Sequence, residues 1–96
     1  MNDCMITLIH PGDDPADDEK TSVFAERNPI GRDEFQSAGV NGYKAEAQFV
    51  IWAEEYDKQP EMTVGNERLT IYRTYGPRKD GKIELYAAER VGNYGR

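Results

Sequence analysis

The sequence has few of the side chains that bind metals or carry out redox chemistry. Its 96 residues include one cysteine, Cys4, and one histidine, His10. A single cysteine cannot form an internal disulfide, and one thiol with one imidazole is a poor donor set for a transition metal. His10 stands before Pro11, and we interpret it as the end of a strand. We therefore expect no metal site, no cofactor and no catalytic triad.

Long apolar segments are also missing. No segment approaches the roughly 20 apolar residues that a membrane-spanning helix needs. The first ten residues, MNDCMITLIH, lack the positive charges that begin a secretory signal. Hydrophobic residues make up 38% of the chain and charged residues 31%, which is typical of a globular protein. We expect a single domain, residues 1–96, that is made in the cytoplasm and does not contact a membrane.

Charge is unevenly distributed along the chain, whose net charge is −6. Residues 1–64 hold 14 acidic and 5 basic side chains, whereas residues 65–96 hold 4 acidic and 7 basic ones. The negative total disfavours a protein that coats DNA or RNA, because such binding depends on neutralising phosphates. The asymmetry is compatible with head-to-tail association of copies, and equally with an unevenly charged solvated surface.

The most acidic segment is DDPADDE, residues 13–19. Repulsion between its carboxylates predicts an extended, exposed and mobile loop, in which Pro15 also removes one backbone donor. The ligand spacing of an EF-hand is absent, so that a calcium site is not favoured. The acidic side chains of this loop are Asp13, Asp14, Asp17, Asp18 and Glu19.

Alternating apolar and polar residues predict five strands, at residues 5–10, 22–27, 44–56, 68–75 and 82–90. A short helix is predicted between the second and third strands, because Asp33 and Gln36 have capping-box spacing and Asn41-Gly42 supplies a stop. We expect Phe35 to anchor this helix to the domain. The predicted fold is mainly β, a small antiparallel barrel of about five to six strands with one short helix.

Two segments of the pattern leave alternatives open. Apolar residues on both faces of the third strand, at 49–52, predict a second cover there, either the helix or a neighbouring subunit. The glycine-rich tail at 92–96 is predicted to be frayed or to make contacts.

The segment GPRKDGKI, residues 76–83, partly matches the phosphate-binding pattern GxxxxGK[ST]. However, Ile83 replaces the hydroxyl residue, and the following residues alternate as in a strand instead of opening a helix. Asp80-Gly81 predicts a β-hairpin turn. We therefore interpret Arg78, Lys79 and Lys82 as a basic cluster that contacts an acidic neighbour, and we expect no enzymatic activity.

The order of these elements resembles the head closure (head–tail joining, or stopper) proteins of tailed bacteriophages. The resemblance covers residues 22–91 and includes the strand VFAER, the helix EFQSAG, the strand around FVI and the segment LTIYRTY. Leu69 stands where many relatives would have an aromatic residue, and the acidic loop 13–19 has no counterpart in the pattern.

The resemblance implies a small β-barrel with an assembly role. Such proteins form a ring of copies beneath the portal and its adaptor protein, help to retain packaged DNA, and offer a docking surface to tail or tail terminator proteins. The expected location is the neck of the virion, after assembly in the host cytoplasm. DNA would pass the channel without sequence-specific binding. The segment expected to enter that channel is either residues 11–21, which include the acidic loop, or residues 28–44.

Two other functions remain as alternatives. The net charge is compatible with an acidic phage-encoded inhibitor that mimics DNA and binds a host nucleic-acid enzyme. Its carboxylates, however, cluster in one loop instead of forming two spaced rows. A nucleotide-binding enzyme that uses residues 76–83 is the weaker alternative.

Overall fold

The computed structural model describes residues 3–89, which form a closed antiparallel β-barrel with one short α-helix, as the sequence predicts. None of the helices in this part of the chain has the length and hydropathy needed to cross a membrane. The predicted tail at 92–96 lies outside the described residues. The elements are β1 (Asp3–His10), β2 (Glu19–Asn28), α1 (Arg32–Val40), β3 (Ala45–Trp52), β4 (Glu61–Val64), β5 (Glu67–Tyr75) and β6 (Lys82–Glu89).

The strands are arranged around the barrel in the order β1-β2-β3-β6-β5-β4, and β4 returns to β1. All neighbours are antiparallel, but the ladders differ greatly in length. β1 pairs with β2 along its whole length, from Asp3–Glu26 to His10–Glu19. By contrast, β2 meets β3 only at Glu26 to Asn28, and β1 meets β4 only at Thr7 to Ile9.

The barrel interior holds the hydrophobic core. Strand alternation places every second residue inside, where aliphatic side chains and Phe49 interlock with small alanines. Leu69 is 1% exposed, so that an aliphatic side chain fills this position completely. The large side chains with less than 2% exposure are Ile6, Leu8, Ile9, Phe49, Ile51, Met62, Leu69 and Leu85.

The hairpin of β5 and β6 matches its predicted strands closely. The connection covers residues 76–81, and its turn is closed by a hydrogen bond from the Gly81 N–H to the Arg78 carbonyl at 3.0 Å. The turn is therefore centred on Lys79-Asp80, one residue before the predicted Asp80-Gly81, and Gly81 ends it with φ +84°, in the left-handed region that glycine adopts readily. A register shift lies between Ile71 and Arg73, where Tyr72 is the extra residue opposite β6. Such a bulge bends the strand and redirects side chains.

The helix differs from its prediction in how it begins and in how it is attached. It starts at Arg32, Gly31 is its N-cap, and no side chain caps it, so the predicted capping box of Asp33 and Gln36 is wrong. The predicted stop at Asn41-Gly42 is confirmed, since Asn41 is the C-cap and Gly42 has φ +87°.

Ala38 is the buried residue of α1 at 3% exposure, whereas Phe35 remains 47% exposed. Attachment of α1 to the barrel therefore depends on Ala38, and on a polar contact of Glu34, more than on Phe35, the anchor that the sequence predicted.

Three further segments correct the sequence prediction. β4 was predicted as part of a loop, β2 begins at Glu19 rather than residue 22, and Ala53–Glu55 forms a 3₁₀ turn instead of extending β3. The second cover predicted over 49–52 exists for Val50, which is 6% exposed, but Trp52 is 51% exposed. One outer aromatic of β3 thus remains uncovered in residues 3–89.

Candidate functional site

The acidic loop between β1 and β2 is folded and is not simply extended. Pro15–Asp17 forms a 3₁₀ turn, closed by a hydrogen bond from the Asp17 N–H to the Asp14 carbonyl at 2.8 Å. Gly12 lies so close to this turn that a Cβ on it would stand 2.5 Å from the Cβ of Asp17. The loop therefore requires glycine at position 12.

Asp18 differs from the other carboxylates of the loop. Its side chain is 6% exposed, and its Oδ1 accepts a hydrogen bond from the Gly12 N–H at 2.9 Å. Its Oδ2 lies 3.7 Å from Nη1 of Arg68, a side chain that also pairs with Glu61. Asp18 is thus a structural residue that closes the loop onto the barrel.

The remaining acidic side chains of the loop are exposed and available to interact with another molecule. They project from one end of the β1–β2 hairpin, and none of them forms an ion pair within residues 3–89. The predicted group of five carboxylates therefore divides into Asp18, whose side chain is buried, and four exposed residues, which are Asp13, Asp14, Asp17 and Glu19.

The three cations of the basic hairpin, Arg78, Lys79 and Lys82, also differ in whether they have partners within the chain. Arg78 donates to both oxygens of Asp80, at 3.2 and 2.6 Å, and to Glu84 Oε2 at 2.8 Å. Its hydrogen bonds, with one from the Lys82 N–H, lower the pKa of the Asp80 carboxyl to about 2. The charge of Arg78 is thus neutralised inside the chain.

The two lysines are the part of this hairpin that remains available. Neither Lys79 nor Lys82 forms an ion pair in the described residues. The Lys82 ammonium lies 5.0 Å from the centroid of the Trp52 ring, close enough for a cation–π contact. The predicted cluster of three cations is therefore effectively a pair of lysines.

A polar network that the sequence did not predict attaches α1 to the sheet. Glu34 accepts a hydrogen bond from the Tyr72 hydroxyl at 2.7 Å and another from Arg73 Nη2 at 2.5 Å. These contacts, above all the bond from Arg73, lower the pKa of the Glu34 carboxyl, whereas burial and the bond to Glu34 raise the pKa of the Tyr72 phenol. The bulge in β5 directs both partners toward the helix.

The same network continues across β6 and β3. The Arg73 guanidinium lies 4.0 Å from the centroid of the Tyr86 ring, and the Tyr86 hydroxyl donates to Glu84 at 2.6 Å. Gln48 of β3 then donates to Glu84 at 3.1 Å and to Tyr86 at 3.0 Å. Since Glu84 also accepts from Arg78, one continuous network joins the helix to the basic hairpin.

A crevice of about 630 Å³ lies between α1 and the outer face of the sheet. Tyr43 and Tyr72 stack along one wall, with ring centroids 5.1 Å apart. Glu34 and Arg73 line another part, but each already has the other as its partner. The crevice thus presents aromatic surface and paired charges.

The remaining candidate residues have local structural roles. His10 ends β1, as predicted, with its Nε2 3.3 Å from Asp57 Oδ2. Cys4 is half-buried, and this burial raises the pKa of its thiol. Ile83 is 8% exposed within β6, which confirms the hairpin interpretation of residues 76–83. Residues 3–89 contain no group of three potential metal ligands.

The structure therefore defines a small closed antiparallel β-barrel with charged groups at one loop and one hairpin. No family model, no curated protein and no solved structure matches the chain. The sequence contained one signal for the missed network, since Tyr72 and Tyr86 occupy outward positions of two strands that a hairpin must pair. It contained none for Glu34, whose partner Arg73 lies 39 residues away.

Proposed function

We propose that this chain is a head closure protein of a tailed bacteriophage, which assembles as a ring beneath the portal and its adaptor. The observation that supports the proposal most is the position of α1 in a closed barrel, between β2 and β3, since the resemblance implies this element order. In this role the protein helps to retain packaged DNA and provides a surface on which the tail docks.

The distribution of unpaired charge supports a ring built by one repeated contact. Four exposed carboxylates occupy the loop at one end of the β1–β2 hairpin, and Lys79 and Lys82 belong to the β5–β6 hairpin. A ring requires two different surfaces of each copy to be complementary. Opposite charges on two separate hairpins supply such complementarity and favour correct encounters between copies.

Exposed carboxylates also suit a channel that DNA must leave again. At physiological salt the Debye length is about 8 Å, so fixed negative charges repel only phosphates that come near. Such a loop discourages tight binding of DNA to the wall, and it does so without recognising a sequence. Two lysines of a neighbouring copy can neutralise only two of the four exposed carboxylates, so the loop keeps negative charge. We therefore retain the acidic loop as the candidate channel surface, with Asp18 as its internal support.

The direct test is imaging of purified virions from a host that produces this chain. We expect density for a ring of copies at the neck, between the adaptor and the tail. Particles whose neck contains the adaptor and the tail but none of this chain would contradict the proposal.

A functional test uses variants of the acidic loop in the same particles. Changing Asp13, Asp14 and Asp17 to Asn and Glu19 to Gln should alter DNA retention or ejection, while Asp18 stays in place to preserve the loop. The control set neutralises four exposed carboxylates elsewhere, Asp33, Glu54, Glu55 and Glu67. If particles with the two sets of variants retain and eject DNA equally, the acidic loop has no specific role in DNA retention or ejection.

A second variant tests the basic hairpin. Lys79→Glu with Lys82→Glu should impair attachment to filled heads, whereas Arg32→Glu with Lys58→Glu makes the same charge change elsewhere and should not. Arg78 is left unchanged because its reversal would break the internal pairs with Asp80 and Glu84. Unchanged attachment of the lysine variant at physiological salt would contradict this contact.

A further inference from the structure

The seam between β2 and β3 contains an open groove. These strands pair only from Glu26 to Asn28 of β2, and beyond Val50 of β3 they diverge. The groove, of about 370 Å³, has Val50 and Ile51 at its base and the aromatic side chains Phe24 and Trp52 beside it. Phe24 is 74% exposed and Trp52 51%, although both rings lie on regular strands.

One edge of this groove is an unpaired strand edge. Residues 19–25 of β2 are hydrogen-bonded to β1 on one side, and no ladder pair or other backbone hydrogen bond within residues 3–89 reaches them from the β3 side. An edge with free N–H and C=O groups beside exposed aromatic rings is a template for an added strand. Side chains of that strand would then pack against Phe24 and Trp52.

The charges around the groove define what could bind there. Asp3 and Glu26 are register partners, and both line the groove. Lys82, which lies over Trp52, is the one cation among the lining residues. The groove thus favours an extended segment with a cationic residue beside this acidic pair and small or aromatic residues next to it.

Residues 90–96 of this chain, RVGNYGR, have this composition. Arg90 and Arg96 flank this segment, so that in either strand direction one arginine can lie beside Asp3 and Glu26. Between the arginines, Val91 and Tyr94 would be on opposite faces of an extended strand, so that one of them can pack against Phe24 and Trp52. We propose that residues 90–96 of one copy add a strand to the β2 edge of a second copy.

The geometry favours a second copy over the same chain. The groove lies at the Lys82 end of β6, since Lys82 pairs with Trp52, whereas residue 90 follows the opposite end of β6 at Glu89. Those ends are about 24 Å apart at roughly 3.4 Å per residue. Residues 90–96 have about that same total length, so that within one chain they would reach the groove with no residues left to lie in it.

This inference rests on the proposed function, because a strand passed from each copy to the next is a head-to-tail contact that closes into a ring. It adds a specific interface to that ring. The acidic end of the groove would hold Arg90 or Arg96, and the backbone of β2 would supply the hydrogen bonds.

A photo-cross-linking experiment on the full chain tests the inference. The photoreactive residue p-benzoyl-phenylalanine replaces Phe24, and isotopically labelled and unlabelled copies are mixed before irradiation. We expect cross-linked dimers that join one labelled and one unlabelled copy and that map to residues 90–96. The inference would be overturned by cross-links within one copy, or by cross-links to other segments only. A second measurement adds the peptide RVGNYGR and records amide shifts at β2; the absence of both dimers and shifts would also overturn the inference.

Charge variants provide the matched control. Arg90→Glu with Arg96→Glu should lower the cross-link yield about tenfold, the effect of a loss of about 1.4 kcal/mol in binding. Arg32→Glu with Lys58→Glu changes the net charge equally and should leave the yield unchanged. A neck ring without these cross-links would contradict the inference alone, whereas the cross-links without a neck ring would contradict the proposed function alone.

Discussion

Replacing Asp18 with alanine tests whether contacts of this side chain hold the acidic loop in place, or whether all the carboxylates of the loop are equivalent and exposed to solvent. The change removes the acceptor of the Gly12 N–H, at 2.9 Å, and the nearby partner of Arg68 at 3.7 Å. A hydrogen bond to a charged group contributes roughly 1.5–3 kcal/mol. Arg68 keeps its pair with Glu61, so the change leaves no isolated charge. We therefore expect the free energy of unfolding to fall by about 2 kcal/mol.

Urea unfolding followed by circular dichroism measures this loss, and thermal unfolding should show a decrease in Tm of roughly 8–16 °C for a domain of this size. The neighbouring change Asp17→Ala is the control. The Asp17 side chain is exposed and its Cβ is retained, so its effect should stay within about 0.5 kcal/mol. Asp18→Asn keeps an acceptor oxygen but removes the charge, and it should give an intermediate loss.

Equal effects of the Asp17 and Asp18 changes would refute this reasoning. The loop would then be the row of equivalent solvated carboxylates that the sequence alone predicts. A large loss for Asp18→Asn, equal to that for alanine, would instead assign the stabilisation to the ion pair with Arg68.

Three further predictions concern the rest of the barrel. Because the pKa of Glu34 lies below its usual value of 4.5, its stabilisation is present above that pH and is lost as the pH falls through the lowered pKa; Glu34→Gln should therefore flatten the acid side of a pH–stability profile, and an unchanged profile would contradict its pairing with Arg73. Gly12→Ala should destabilise by roughly 1–3 kcal/mol in urea unfolding because its Cβ would overlap Asp17, and a neutral result would contradict the close approach. Leu85→Ala, at a position with 0% exposure, should destabilise by about 2–5 kcal/mol in the same assay, and a loss below 1 kcal/mol would contradict its place in the core.

The strands that are determined by alternation and turn residues in the local sequence could be predicted. β5 and β6 alternate over eight or more residues, and Asp80-Gly81 lies in the connection between them, so that both the period and the turn residues of this hairpin are local signals. β4 was not predicted, because its four residues, EMTV, alternate over too short a length to distinguish a strand from the loop after Pro60. That strand is stabilised by pairing with β1 and β5. β1 lies far earlier in the chain, so this pairing is not visible in the local sequence.

The candidate site was predicted only in outline. The sequence located the charged loop and the charged hairpin, but it could not tell which of their charges are free. Arg68, far along the chain, is what distinguishes Asp18 from the carboxylates beside it. Arg78 is neutralised by Asp80 and Glu84 because the hairpin folds these three side chains onto one surface.

The uneven ladders have a consequence for the motions of the barrel. The β1–β2 hairpin is paired with itself along eight residues of each strand but is joined to the other strands by three residue pairs on either side. It is thus a unit that can separate cooperatively from the sheet of β3, β6, β5 and β4 without losing its own hydrogen bonds. Amide exchange would then occur in two classes, with the ladder between β3 and β6 as the most slowly exchanging part of the protein.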